Sequence, residues 1–343
     1  MAIIYQDHKS QHYKLIFNQD TGFQLRSEYK GYSEPFWSED GPELLDLSIT
    51  SYCERECAFC YRSAGKNGKH MAFADVSNVI YQAKSVGVLQ IALGGGNPNQ
   101  HPQFIEILKN IRGNGIVPSY TSNGEGLTND ILQATKEYCG AMALSIYPPV
   151  EENFIKLVER IIDMEIKLNL HVILSELTFD MLMHWLLNTP SWLKRINALI
   201  VLNYKPIVKS QNSLILDYGK TYAFYEIAAK CKDITIGFDS CSVPGIVTYM
   251  NAPKVFVEPC EASRFSAFIS EDMKMYPCSF MTGTNRYGDL REHSLLDIWR
   301  KNESFRSFRK ELEGKSCPDC KFADICMGGC HFIPTINQCG KSI

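Results

Sequence analysis

The chain has 343 residues, with 35 Lys and Arg against 38 Asp and Glu, a formal charge of −3, and 13 cysteines. At 45% hydrophobic and 21% charged residues it has the composition of a globular protein, which excludes a disordered chain. The near-neutral charge gives no general attraction to nucleic acid, and apolar runs such as INALIVL at 196–202 are far shorter than the ~20 residues of a membrane helix.

The first residues, MAIIYQDHK, have no basic stretch followed by an apolar core. No secretory signal is expected, and a cytoplasmic location is. Residues 1–44 predict a short β extension, in which KLIFNQ and FQLRSE flank the turn residues Asp20-Thr21-Gly22. A polar stretch from Tyr32 to Glu43 follows.

From residue 45 to about 238, strand and helix patterns alternate. The spacing predicts strands at 44–50, 89–95, 116–124, 141–147, 167–175, 198–204 and 234–240. Helical patterns at 71–86, 103–115, 129–139 and 150–164 lie between them. Repeated β-α-β units with short apolar strands predict an α/β fold with a parallel sheet. Six or seven such units make a partial (β/α)6-type TIM barrel. The cysteines shift the composition near residue 245, so the expected domains are 1–44, 45–245 and 246–343.

In a reducing compartment, clustered cysteines point to metal rather than to disulfides. Cys53, Cys57 and Cys60 form a CxxxCxxC motif directly after the first barrel strand. The C-terminal ends of strands are where α/β folds place their active sites. Three thiolates leave one metal position open, as a catalytic metal requires. On spacing alone, an iron–sulfur site and a zinc site both stand; the nearest further zinc ligand is His70. Cys260, Cys278, Cys317, Cys320, Cys326, Cys330 and Cys339 crowd the last quarter, with CxxCxxxxxCxxxC at 317–330. Four sulfurs suit zinc or iron–sulfur equally.

CxxxCxxC with Phe59 before its third cysteine, placed after the first strand of a β/α repeat, resembles the radical S-adenosylmethionine (SAM) superfamily. The resemblance implies that Cys53, Cys57 and Cys60 hold a [4Fe–4S] cluster whose fourth iron chelates SAM. Reduction then releases a 5′-deoxyadenosyl radical that abstracts a substrate hydrogen. Gly94-Gly95-Gly96-Asn97-Pro98 ends the second strand where the family usually has Gly-Gly-Glu-Pro beside the SAM amino group, with Asn97 in the Glu position. Ser122-Asn123-Gly124 and Ser145 match positions that contact SAM in the family. His171, on the fifth strand, reads as a core histidine more readily than a catalytic one.

Residues 255–343 resemble the SPASM domain of these enzymes. The match rests on the CxxCxxxxxCxxxC spacing, the hairpin FISEDMKMYPC at 268–278, GDLREHSLLDIW at 288–299 and Gly328-Gly329 before Cys330. Met273 replaces the usual hairpin glycine. The resemblance implies two auxiliary [4Fe–4S] clusters: one on Cys317, Cys320, Cys326 and Cys339, the other on Cys260, Cys278 and Cys330. Cys241 is the candidate fourth ligand of the second; an open iron for substrate, or a hydrogen-donor or buried-thiol role for Cys241, are the alternatives. Cys139 and Cys231 are read as structural.

SPASM enzymes mostly modify peptides, so the implied function is maturation of a ribosomally made precursor peptide. Crosslinking, thioether formation, epimerisation and tyramine excision are the chemistries in view. Only 44 residues precede the first barrel strand, which predicts a separately encoded leader-binding (RRE-like) partner or direct binding. Flavodoxin or ferredoxin is the expected electron donor. Sulfatase maturation is disfavoured because Ser279 stands where those enzymes have an acidic residue. A small-molecule radical SAM enzyme and a non-catalytic zinc protein are the remaining alternatives.

Overall fold

The computed structural model describes residues 3–206, 209–314, 317 and 319–339. The N-terminal segment is a three-stranded antiparallel sheet of β1 (Ile3–His8), β2 (Tyr13–Asn18) and β3 (Gln24–Glu28). The β2–β3 hairpin matches the sequence expectation, whereas β1 is an additional strand. Tyr13, Leu15 and Phe17 alternate along β2 and are fully buried against Leu89 and Val117, at the leading ends of two barrel strands. The small sheet thus covers the floor of the barrel.

The main sheet has ten strands in one open array. β4 (Leu44–Thr50), β5 (Gln90–Gly95), β6 (Val117–Ser122), β7 (Ala141–Ser145), β8 (Leu168–Leu174), β9 (Ala198–Asn203) and the short β10 (Ile236–Phe238) are parallel neighbours in chain order. The helices α1 (Phe73–Ser85), α2 (Phe104–Gly113), α3 (Asn129–Tyr138), α4 (Glu152–Asp163), α5 (Phe179–Leu187) and α6 (Tyr218–Ala228) connect them. Thr128 and Asp217 cap α3 and α6 by accepting from the backbone N–H groups of Ile131 and Lys220.

The cysteine-rich region continues the same sheet. After the single turn α7 (Val243–Gly245), β11 (Ser266–Ile269) runs parallel to β4; β12 (Lys274–Tyr276) and β13 (Gly288–Asp289) then add antiparallel. The helices α8 (Leu295–Lys301), α9 (Glu303–Gly314) and α10 (Ala323–Cys326) complete it. Met273, in the β11–β12 turn, has φ +63°. That left-handed conformation explains why glycine suits this position. Here its side chain is 1% exposed, so burial offsets the backbone cost.

The two faces of the barrel differ. Leu45, Leu47, Ile91, Leu93, Leu144 and Leu170 alternate onto the helix-covered face and are buried. The register puts Asp46, Ser48, Gly94, Thr121, Ser145 and His171 on the opposite, inner face. A parallel sheet packed on both faces would be apolar on both. The small, polar inner face is instead built to hold a ligand.

Candidate functional site

The loop after β4 carries the CxxxCxxC motif and closes on itself through backbone bonds. Cys53 N donates to Gly65 O at 3.1 Å, Cys60 N to Cys57 O at 2.9 Å and Ser63 N to Cys60 O at 3.1 Å. Cys57 and Cys60 line a cavity of about 600 Å³ inside this loop. Burial, with a smaller contribution from the charge of Cys60, pushes the Cys53 thiol up; burial and the charges of Cys60 and Cys53 do the same to Cys57. Bare thiolates would repel one another here, and a cationic iron–sulfur core relieves that repulsion. Asn123 Nδ2 donates to Cys53 Sγ at 3.4 Å, which links the loop to the end of β6.

The glycines after β5 divide by role. Gly95 has φ +110°, and a Cβ there would lie 2.1 Å from Thr50 O. A Cβ on Gly96 would lie 2.0 Å from Tyr52 O. Both positions serve close packing against the cluster loop. A Cβ on Gly94 would meet nothing within 4 Å, so its backbone is open to the inner face. Asn97 is 1% exposed. Its Nδ2 donates to Glu125 O at 3.0 Å and its Oδ1 accepts from Asn123 N at 3.2 Å. The Asn97 side chain therefore ties the β5 and β6 loops together. Ser122 Oγ accepts from Gly124 N at 2.9 Å. Ser145 pairs in register with His171 on the inner face. His171 Nδ1 lies 3.3 Å from Thr121 Oγ1, and burial lowers its pKa to about 4, so the ring is neutral at pH 7. It faces the polar interior rather than the apolar core. The Phe59 ring packs on Tyr147 with centroids 4.7 Å apart.

Contacts that the sequence reading missed join this loop to the C-terminal region. Arg62 and Glu271 form an ion pair at 2.7 Å with side chains 5% and 8% exposed. Ser48 Oγ donates to the same carboxylate at 2.7 Å. Tyr61 stacks on Phe280, two residues beyond Cys278. On the inner face, burial pushes the Asp46 carboxyl up to about 6. No local pattern flags these residues, because each partner lies more than two hundred positions away.

The C-terminal thiols fall into two groups. Cys317, Cys320, Cys326 and Cys339 line one cavity of about 370 Å³. Burial, with the charges of Cys339 and Cys317, pushes Cys326 up to about 11. Cys330 lies elsewhere: it accepts a hydrogen bond from the Cys241 thiol, which raises Cys241 and lowers Cys330. Cys260 and Cys278 complete that second group. Burial, then the charge of Cys241, raises both, Cys278 to about 12. Among the described residues no three His, Cys, Asp or Glu side chains converge as a single metal ion requires. The cavity among Cys317, Cys320, Cys326 and Cys339 leaves room for a cluster of several irons. Cys139 and Cys231 pack against the main apolar core.

Comparison with known proteins agrees with this geometry. A family model of the radical SAM superfamily matches residues 47–192. An iron–sulfur cluster-binding SPASM model matches residues 260–321. The chain belongs to the radical SAM superfamily and carries a SPASM domain. The relatives of this radical SAM chain include the tungsten-containing aldehyde ferredoxin oxidoreductase cofactor-modifying protein of Pyrococcus furiosus, 22% identical across 83% of this chain and 88% of that protein. They also include the PqqA peptide cyclase of Bradyrhizobium diazoefficiens, 22% identical across 84% and 81%. Among solved structures, Streptococcus suis SuiB bound to S-adenosylmethionine superposes with a TM-score of 0.72 at 16% identity, over 96% of this chain and 94% of that one. SuiB has also been solved bound to its precursor peptide SuiA. The iron–sulfur description of the SPASM match removes the reading as a zinc protein. Among the described residues no helix is long and apolar enough to cross a membrane.

Proposed function

We propose that this radical SAM enzyme modifies a ribosomally made precursor peptide, using SAM and three [4Fe–4S] clusters. Cys53, Cys57 and Cys60 would hold the SAM-binding cluster. Cys317, Cys320, Cys326 and Cys339 would hold one auxiliary cluster, and Cys241, Cys260, Cys278 and Cys330 the other. When bound and reduced, the SAM site supplies a 5′-deoxyadenosyl radical that removes one hydrogen from the substrate. The chain's own residues do the rest. Gly94, Ser145 and the turn at Ser122-Asn123 offer backbone and hydroxyl groups to SAM, while Phe59 and Tyr147 wall the site. The neutral His171 and Thr121 orient what lies on the inner face without adding charge.

The observation that carries this reading is the placement of a three-thiol loop at the mouth of a polar inner face, with four-thiol groups beside it. The peptide substrate is supported by the relatives named for peptide cyclisation and by the solved SuiA complex. A separately encoded leader-binding protein and a flavodoxin or ferredoxin donor belong to the same proposal. The relative named for cofactor modification supports a second reading, a small-molecule substrate. The experiment is anaerobic purification followed by iron and SAM-cleavage assays, then mass spectrometry of any short peptide found encoded beside this gene. About 12 irons per chain and a mass change in that peptide are expected. Turnover of a small molecule with no change in any neighbouring peptide would favour the second reading.

A further inference from the structure

Lys205 lies two residues past the end of β9, and its side chain is 6% exposed. Its ammonium donates to Asp239 Oδ2 at 2.6 Å and to Asn203 O at 2.9 Å. It also lies 4.8 Å from the centroid of the Phe280 ring. An ammonium has three N–H donors; two of them meet these acceptors, and the ring lies over the group. Asp239 is equally committed, because its Oδ1 accepts from Asn203 N at 3.1 Å and from Ser242 Oγ at 2.8 Å. The pair is therefore fixed rather than waiting for substrate.

Its position is specific. Asp239 lies two residues before Cys241, and Phe280 two residues after Cys278. Asn203 Nδ2 donates to Cys241 O at 3.0 Å, which holds that backbone against the end of β9. The Lys205 ammonium thereby stands against both the segment that carries Cys241 and the segment that carries Cys278. The other four-thiol group has a different neighbour: Lys321 is exposed and rests on Phe322. Water and salt screen that cation, whereas a buried one is screened much less.

We propose that Lys205 is a positioning residue whose fixed ammonium raises the reduction potential of the cluster held by Cys241, Cys260, Cys278 and Cys330. One added electron makes a four-thiolate cluster more negative, and an adjacent buried cation stabilises that state. The proposal rests on the cluster assignment made above.

The test is an EPR-monitored redox titration of the full, reconstituted chain with dithionite as reductant. Cys278→Ala first identifies the signal of this cluster; if iron content and spectra stay unchanged, the cluster assignment itself fails. With the signal identified, Lys205→Met is expected to make reduction about tenfold less favourable, a shift of about 59 mV for a one-electron couple. Lys205→Arg should restore most of it, and the signal of the other auxiliary cluster should not move. An unmoved midpoint in an iron-replete Lys205→Met protein overturns the proposal. If Lys205→Met loses the cluster, Asp239→Asn decides: removing the anion while keeping the ammonium should raise the midpoint, and no rise overturns the proposal.

Discussion

The barrel draws its three thiols from one short loop, whereas the C-terminal region gathers Cys241, Cys260, Cys278 and Cys330 from four separate segments. The first group is held by its own backbone bonds and lies beside a polar inner face. The second lies beside the buried Lys205–Asp239 pair. A site that binds and releases a substrate molecule gains from a missing ligand and local construction. The two are joined by the Arg62–Glu271 pair, so neither is an independent module.

The largest test of this contrast is the combined change Cys53→Ala, Cys57→Ala and Cys60→Ala. SAM cleavage should fall to background in a 5′-deoxyadenosine assay, while the iron of the C-terminal groups stays bound. Retained cleavage would show that the open site lies elsewhere. Next comes the bridge between the regions. Arg62→Met leaves Glu271 buried and unpaired, which should cost about 3–5 kcal/mol in an apparent unfolding measurement. The double change with Glu271→Leu should recover much of that loss; no recovery would mean that Arg62 acts through packing alone.

Within β5, Gly95→Ala should cost roughly 2–4 kcal/mol, since a methyl would strike Thr50 O and the backbone is left-handed there. Gly94→Ala should leave the melting temperature unchanged but weaken SAM binding about tenfold, or ~1.4 kcal/mol by calorimetry. Equal effects at both positions would remove the distinction between packing and ligand approach.

The smallest expected effect concerns the clasp between the N-terminal sheet and the Cys260 segment. Arg26 on β3 is 6% exposed and pairs with Glu43 at 2.7 Å, Glu261 at 3.0 Å and Glu258 at 3.1 Å, and also with Glu34. One guanidinium does not compensate four carboxylates, and burial pushes Glu43 up to about 7 despite its pairing. A raised carboxyl contributes stability that is complete below the unfolded value near 4.5 and is lost as pH rises through about 7. Melting curves of wild type and Glu43→Gln between pH 5.5 and 8.5 should therefore move in favour of the variant with rising pH, by a few degrees. A constant gap would show that Glu43 is ionised throughout.

Much of the barrel was legible in advance because its signals are local. The strand expected at 44–50 is observed as β4 with the same bounds, and the helix expected over 150–164 is α4 at Glu152–Asp163. Alternating leucines along β4 and the helical spacing of apolar residues in α4 are properties of neighbouring residues. β1 escaped notice because it is set by its antiparallel pairing with β2, its own residues being half-buried or exposed. The same holds at the sites.

Thirteen cysteines in a near-neutral chain already implied metal, and the CxxxCxxC spacing marked the loop as a metal site, while its resemblance to the radical SAM superfamily pointed to iron–sulfur. A loop this short brings its thiols together whatever the rest of the chain does. Tertiary structure alone decided that Cys241 lies against Cys330 rather than apart from it, that β11 continues the barrel sheet, and that Lys205 is buried beside two of those thiols. Those contacts join residues far apart in the chain, and only the packed core determines which of them meet.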